Sequence, residues 1–262
     1  MNDYEIFSLS FPQLKLTKKA FNNLSAPSAA FGVPEGVAYV NDNRILFIGV
    51  YPQYRRQGIG SRLLKQCEEH ILSCGYDKAI LGGEFLFGAA GDSRAFFEKR
   101  GYKISSRFVE MERVLKSFRL SENTLPPEIS FGFYNGRLSE LKSAVGTVDE
   151  EWVQYFTHTD NVFCGYSDGK LASFCIIGYD EECIISRRSN KIGSVGCVGT
   201  LPEFRRRGIG LRMVAEAMNE LKSQGCHRAF IHYTHLENWY AKLGCTTVLE
   251  FYPGEKALRR YK

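Results

Sequence analysis

None of the eight cysteines belongs to a Cys-x-x-Cys pair, which removes the usual zinc-knuckle and dithiol-redox readings. Cys67 and Cys74 lie seven apart in a helical pattern and read as one buried helix face; Cys164, Cys175, Cys183 and Cys197 fall in strand-like runs. In a chain of 262 residues, such unpaired usage implies reduced, buried thiols and a cytoplasmic protein. No stretch of 18 apolar residues occurs, so no membrane-spanning helix is expected. The N-terminal MNDYEIFSLSF lacks a basic segment and an apolar core, which speaks against a signal peptide. Long basic tracts are also missing. Arg and Lys gather only in short clusters, at Arg55-Arg56, Arg187-Arg188, Arg205 to Arg207 and Arg259-Arg260. With a net charge of +5 and no basic surface interleaved with aromatics, a nucleic-acid partner is not expected.

What the chain does contain is a well-cored composition, 44% apolar and 24% charged, at a length that accommodates two domains. Its clearest punctuation is SENTLPPE, Ser121 to Glu128, which divides it into residues 1–120, a linker at 121–127, and residues 128–262. In the first part, GVAYV and RILFIGV form a hairpin across Asn-Asp-Asn. A helix opens at Gly58, with Ile59, Leu63, Cys67, Ile71 and Cys74 on one face, and Gly75 ends it. DKAILGG is a buried strand, SRAFFEKRG a short helix, and YKISSRFVEME a last strand. The second part repeats this order. After the strand EISFGFYNG, Thr147 to Glu150 reads as a capping box opening a helix toward Trp152. VFCGYSDGKLASFCIIGY turns at Ser167-Asp168-Gly169, and GSVGCVGTL leads into a helix with Ile209, Met213, Ala217 and Leu221 inward. HRAFIHYTH, ENWYAKLG and CTTVLEFY follow as strand, helix and strand. These are two α/β units, and the short linker implies that they pack as an intramolecular pseudo-dimer.

At the centre of each repeat stands Pro-x-aromatic-Arg-Arg-x-Gly-Ile-Gly, as PQYRRQGIG and PEFRRRGIG. A strand entering a helix through Arg-x-x-Gly-x-Gly leaves backbone N–H groups at the positive end of the helix dipole, which suits an anion. The glycines let a phosphate approach the backbone, and the arginines add charge-assisted contacts. The dinucleotide fingerprint fails because Leu63 or Met213 stands at its third glycine, and a P-loop fails for want of Gly-Lys-Ser/Thr. What remains resembles the acetyl-CoA pyrophosphate motif of the GCN5-related N-acetyltransferase (GNAT) superfamily, at Arg55-x-x-Gly58-x-Gly60 and again at Arg205-x-x-Gly208-x-Gly210. The resemblance covers most of both halves and implies two tandem mixed-sheet acyl-CoA N-acyltransferase domains. It is thinnest at the start, where about 45 residues precede the fourth-strand position. It implies acetyl-CoA as acyl donor, no metal, and a small-molecule or peptide amine as acceptor. The cofactor would lie along Val198 and Thr200 and on Arg205, Arg206, Arg207, Gly208, Ile209, Gly210 and Leu211. The first half's equivalents are Val50, Arg55, Arg56, Gln57, Gly58, Ile59, Gly60 and Ser61.

The family's leaving-group acid is a tyrosine in Tyr-x-x-x-Gly. The second half carries Tyr240 through Gly244; the first carries Phe97 through Gly101, with no proton to give. The resemblance therefore assigns catalysis to Tyr240 and a structural or regulatory role to the first half. For a general base the sequence offers Asp180, Glu181 and Glu182 in a loop, where an acidic triplet is ordinarily just solvated; His232 or His235 could relay protons, but the ordinary reading of each is a satisfied structural histidine. A CoA-binding sensor and a transferase using another acyl donor stay open as alternatives. The acceptor and the oligomeric state are not legible.

Overall fold

The computed structural model describes residues 2–12, 17–25, 28–82, 89–90, 93–121, 126–179 and 191–259. Elements run in the order α1 (Asp3–Ser10), α2 (Lys18–Ser25), β1 (Ala29–Val33), β2 (Gly36–Asn41), β3 (Arg44–Val50), α3 (Ile59–Ser73), β4 (Lys78–Leu81) and β5 (Ala89–Ala90). Next come α4 (Arg94–Glu98), β6 (Lys103–Ile104), β7 (Phe108–Val114), β8 (Ile129–Phe133), α5 (Leu138–Gly146), β9 (Val162–Ser167) and β10 (Lys170–Tyr179). The chain closes with β11 (Ile192–Thr200), α6 (Ile209–Ser223), β12 (Arg228–Thr234), α7 (Glu237–Ala241), β13 (Thr246–Tyr252) and β14 (Gly254–Ala257).

Local chemistry explains most of these elements. Helix α3 buries Ile59, Leu63, Leu64, Cys67 and Ile71, and Gly75 leaves it at a φ of 92°. Helix α6 buries Ile209, Met213, Ala217 and Leu221 as the periodicity implies, with Val214 and Met218 beside them. At the β9–β10 hairpin, Asp168 and Gly169 have φ of 50° and 72°, the left-handed pair of a primed two-residue turn. Three details differ from the sequence reading. Cys74 is exposed, because it caps the end of α3 where the buried stripe has already stopped. Thr147 ends α5 rather than opening a helix; Asp149 caps the following 3-10 turn, accepting from the Glu151 N–H at 2.9 Å. The segment YKISSRFVEME is two strands, β6 and β7, not one.

The chain forms two compact units, and they do not divide at residues 121–127. The first takes Met1–Val109 together with Val248–Lys262; the second takes Glu110–Glu181 and Ser189–Thr247. In the first unit the sheet order is β1-β2-β3-β4-β14-β6, so the chain's last strand lies between two strands from its first half. Strand β14 runs antiparallel to β4, with Gly254 opposite Leu81 and Ala257 opposite Lys78. Lys256 reaches Glu68 of α3 at 2.9 Å, and Leu258 joins the core of Ile59, Leu63, Cys67 and Tyr102. In the second unit the order is β7-β12-β11-β10-β9-β8, with α6 packed on β9, β10 and β11. Helices α1 and α2 supply the early elements of the first unit, where Phe7 and Phe21 meet Phe47 at 5.1 and 5.8 Å.

The position of β14 has a measurable consequence. Ending the chain after Pro253 removes four strand residues from the middle of the first unit's sheet, the Lys256–Glu68 pair and the burial of Leu258. The expected loss is about 3 kcal/mol or more, summing a leucine-sized apolar burial with several ladder hydrogen bonds. Hydrogen exchange should show β4 amides losing protection while those of β9 and β10 keep it. Equal protection in β4 with and without residues 254–262 contradicts this expectation.

Candidate active site

The two glycine-rich loops have the same backbone. Gly58 and Gly208 cap their helices at φ of 82° and 79°, and the preceding Arg56 and Arg206 are also left-handed, at 65° and 61°. In both, the first motif arginine folds back on its own strand. Arg55 Nε donates to the Val50 carbonyl at 3.1 Å, and Arg205 Nε donates to the Thr200 carbonyl at 3.0 Å. These arginines therefore brace the strand-to-helix turn, while Arg206 and Arg207 stay exposed beside it. Neither helix has a side-chain cap, so the first-turn N–H groups of Ile209, Gly210 and Leu211 point out from a bare N-terminus. A Cβ at Gly208 would meet nothing within 4 Å, whereas one at Gly210 would strike Thr200 Oγ1. The first glycine keeps the loop open and left-handed; the second lets helix and strand approach.

Beside the second loop the sheet splits. Strands β11 and β12 pair in parallel from Ile192–Arg228 to Val195–Ile231, and then run on to Thr200 and Thr234 without pairing to each other. On its other side β11 bulges against β10. The register moves from Phe174–Gly199 to Ile176–Gly196, and Cys197 in the bulge has a φ of 47°. Val198 and Thr200, the residues expected to carry the pantetheine arm, lie on this stretch. An extended ligand can add to such a strand through its open backbone groups. In the first unit, among the described residues, β3 pairs with β4 at Arg44–Ile80 and Ile45–Leu81, and β3 runs on to Val50.

Helix α7 brings Tyr240 to the β11–β12 split. The residue is 4% exposed and edge-on to Trp239 at 4.8 Å. Burial, with the thiols of Cys175, Cys245 and Cys197 around it, pushes the phenol well above its ordinary range. It therefore holds its proton at neutral pH. No hydrogen bond from its hydroxyl is found among the described residues. Nor is that oxygen one of the sealed, orphaned polar atoms, as the Tyr51 hydroxyl is. In the first unit Phe97 occupies the matching place on α4, buried against Tyr102. Arg100, one turn on, donates to Ser61 Oγ at 2.5 Å and to the Phe96 carbonyl at 2.7 Å, which sets a cation on the first turn of α3. The second unit has Leu243 and Leu211 in those positions.

Known proteins share this fold. Residues 133–245 match the acetyltransferase (GNAT) family, and residues 29–104 match an acetyltransferase (GNAT) domain. The chain belongs to the GNAT family, with two such domains in tandem. Among solved structures, it superposes on the GCN5-related glucosamine N-acetyltransferase region of a fungal multi-domain GH3 beta-N-acetylglucosaminidase with a TM-score of 0.79 at 20% identity. That match covers 96% of this chain, which spans only 36% of the fungal one. A GCN5-related N-acetyltransferase from Sphaerobacter thermophilus gives 0.66 at 16% identity, covering 87% of this chain and 78% of that one. A tandem GNAT protein from the clavulanic acid biosynthesis pathway gives 0.61 at 14%, covering 90% and 85%. At these identities the superpositions show the fold alone. The comparison with curated proteins gives no significant match.

The remaining candidates of this GNAT protein separate clearly. Asp180, Glu181 and Glu182 lie outside the described residues. His235 is exposed on the turn after β12. His232 lies inside β12, one residue beyond the last β11–β12 pair, and its Nδ1 is 2.7 Å from Oε2 of Glu110 on β7. Sequence reading had no means of finding Glu110: it stands 122 residues from His232 and belongs to the first half of the chain. No group of three or more His, Cys, Asp or Glu side chains among the described residues could hold a metal ion. No described helix is long and apolar enough to cross a membrane.

Proposed function

We propose that the chain is an acetyl-CoA-dependent N-acetyltransferase acting on a primary amine, with its chemistry in the half that begins at residue 128. One observation carries this reading: the β11–β12 split ends at an uncapped, arginine-flanked helix N-terminus and has a protonated phenol beside it. The donors of Gly208 to Leu211, with Arg206 and Arg207, would hold the pyrophosphate. Val198 and Thr200 would extend along the pantetheine. Tyr240 would give its proton to the sulfur as the thioester breaks. The first unit, with Phe97 in place of the tyrosine and Arg100 engaged with Ser61, would bind CoA without turnover or serve as a structural partner.

Purified protein should release CoA thiol from acetyl-CoA only when a primary amine is present. Glucosamine is a sensible first acceptor, because the fungal neighbour is described as a glucosamine N-acetyltransferase. The rest of the panel spans polyamines, amino acids and N-terminal peptides. Tight acetyl-CoA binding without amine-dependent thiol release across the panel would favour a CoA-binding sensor instead.

A further inference from the structure

The Glu110 carboxyl is fully buried, yet only part of its hydrogen-bonding capacity is used. Oε2 lies 2.7 Å from His232 Nδ1 and accepts the Tyr233 N–H at 3.4 Å, while Oε1 has no partner. An orphaned buried oxygen is costly, more so when ionised, and needs a reason. Tyr233, the residue that turns its N–H to this carboxyl, sits at a φ of 49° inside a strand. Backbone strain of that kind in a non-glycine residue accumulates at functional sites. Two costs thus meet at one carboxyl–imidazole pair.

The register places the pair with respect to the split. A Cβ at Gly193 would strike Leu221 of α6, so that position faces α6. Its parallel partner Ala229 shares the face, and so does Ile231, two residues on. Phe230 and His232 alternate with them and face away from α6. Tyr240 comes from the other face: its neighbour Cys175 alternates along β10 with Phe174, which packs on Leu141 and Val145 of α5. A thioester lying in the split would therefore have a phenol on one side and an imidazole, 24% exposed, on the other.

We propose that His232, oriented by Glu110, is the general base that deprotonates the acceptor ammonium. This rests on the N-acetyltransferase reading above. With Nδ1–H donated to Glu110, Nε2 takes one proton from R–NH3⁺. The freed lone pair attacks the thioester carbonyl, the C–N bond forms, and the C–S bond breaks. The nitrogen sheds its second proton as the amide forms, and the thiolate acquires one through Tyr240, so the net products are amide, CoA thiol and one proton. Burial holds the Glu110 carboxyl above the ordinary carboxylate range, while His232 and the Tyr233 N–H pull it down. The other charged groups along these two strands are Glu112 and Arg228, which pair with each other, and Arg113, whose Nε is buried without a hydrogen-bond partner among the described residues. The bulge of β11 adds the Cys197 thiol, pushed up to about 11 by burial and so neutral in the working range.

The test compares native protein with His232→Gln and Glu110→Gln in the amine-dependent thiol-release assay, as a function of pH. His232→Gln should lower kcat/KM by about 10²-fold with acetyl-CoA affinity unchanged, and added imidazole should restore part of the rate. Glu110→Gln keeps the side-chain shape but removes the charge that favours imidazolium, so the acidic limb of kcat/KM should move to lower pH by about one unit or more. A purely structural pair would change thermal stability and leave that limb in place. Native protein that turns over, with both variants keeping its rate and pH profile, overturns the base and leaves the acetyltransferase reading standing. So does a rate loss in His232→Gln explained wholly by lost acetyl-CoA affinity. Native protein that turns over no amine overturns both.

Discussion

Tyr240→Phe should lower kcat by about 10²–10⁴-fold, the usual range for general acid catalysis. The substitution removes one oxygen and one proton while keeping the ring that packs on Trp239. Because the hydroxyl makes no hydrogen bond among the described residues, its loss leaves no buried partner unsatisfied, and stability should hold. Acetyl-CoA affinity should also hold, since the loop at Gly208 and the strand at Val198 are untouched. A fall in kcat without a fall in binding distinguishes chemistry from packing. The pH profile adds a second check. The phenol's raised pKa keeps it protonated throughout the neutral and mildly alkaline range, so no basic limb arising from Tyr240 should appear below about pH 10. A Tyr240→Phe enzyme with nearly native kcat at saturating amine would remove the acid role. It would also reopen the first unit as the site of turnover. Phe97→Tyr should produce no comparable gain if that unit is structural.

The second large effect is on binding. Gly208→Glu should weaken acetyl-CoA by roughly 10³-fold, because a carboxylate at the helix N-terminus competes with the pyrophosphate for the same donors and repels it. Position 208 suits this test. A Cβ there meets nothing within 4 Å, so the side chain occupies the anion's space rather than the core. The φ of 79° adds a strain of about 1 kcal/mol, which Gly208→Ala would report separately in a thermal melt. Gly58→Glu makes the same change in the first loop, and calorimetric titration of both variants counts the sites. If only the second loop binds, Gly58→Glu leaves the isotherm unchanged. If both bind, each variant removes one component. Native affinity in a folded Gly208→Glu protein would refute the assignment of the pyrophosphate to this loop.

The two glycine-rich loops were legible because turn chemistry is local. An anion cradle needs consecutive backbone N–H groups and a left-handed glycine, and those are properties of a few adjacent residues. Arg205 to Leu211 and Arg55 to Ser61 therefore stand out as candidate loops, and the structure gives both the same angles within a few degrees. The Tyr240/Phe97 contrast is local in the same way, since each residue is set by its distance from the glycine that ends its short helix. The roles of the individual motif arginines were not legible. Arg205 and Arg55 bond to the carbonyls of their own strands, contacts that motif spacing alone does not announce. The buried stripe on α3 was overrun by one turn at Cys74, where helical periodicity continues past the point at which the core stops.

The sequence by itself determined that two α/β units of the same plan are present, where each glycine-rich loop lies, and which half carries a tyrosine where the other has phenylalanine. These follow from periodicity, turn chemistry and spacing, all of which act over a handful of residues. Only the tertiary structure decided which strands complete each sheet. Backbone hydrogen bonding is indifferent to sequence distance, so β14 can close the first unit and Glu110 can enter the second, although the chain's punctuation places each in the opposite half. The carboxyl beside His232 depends on that exchange. A buried charge has no sequence signature of its own: its partner is chosen by strand register, and register is settled only when the sheet assembles.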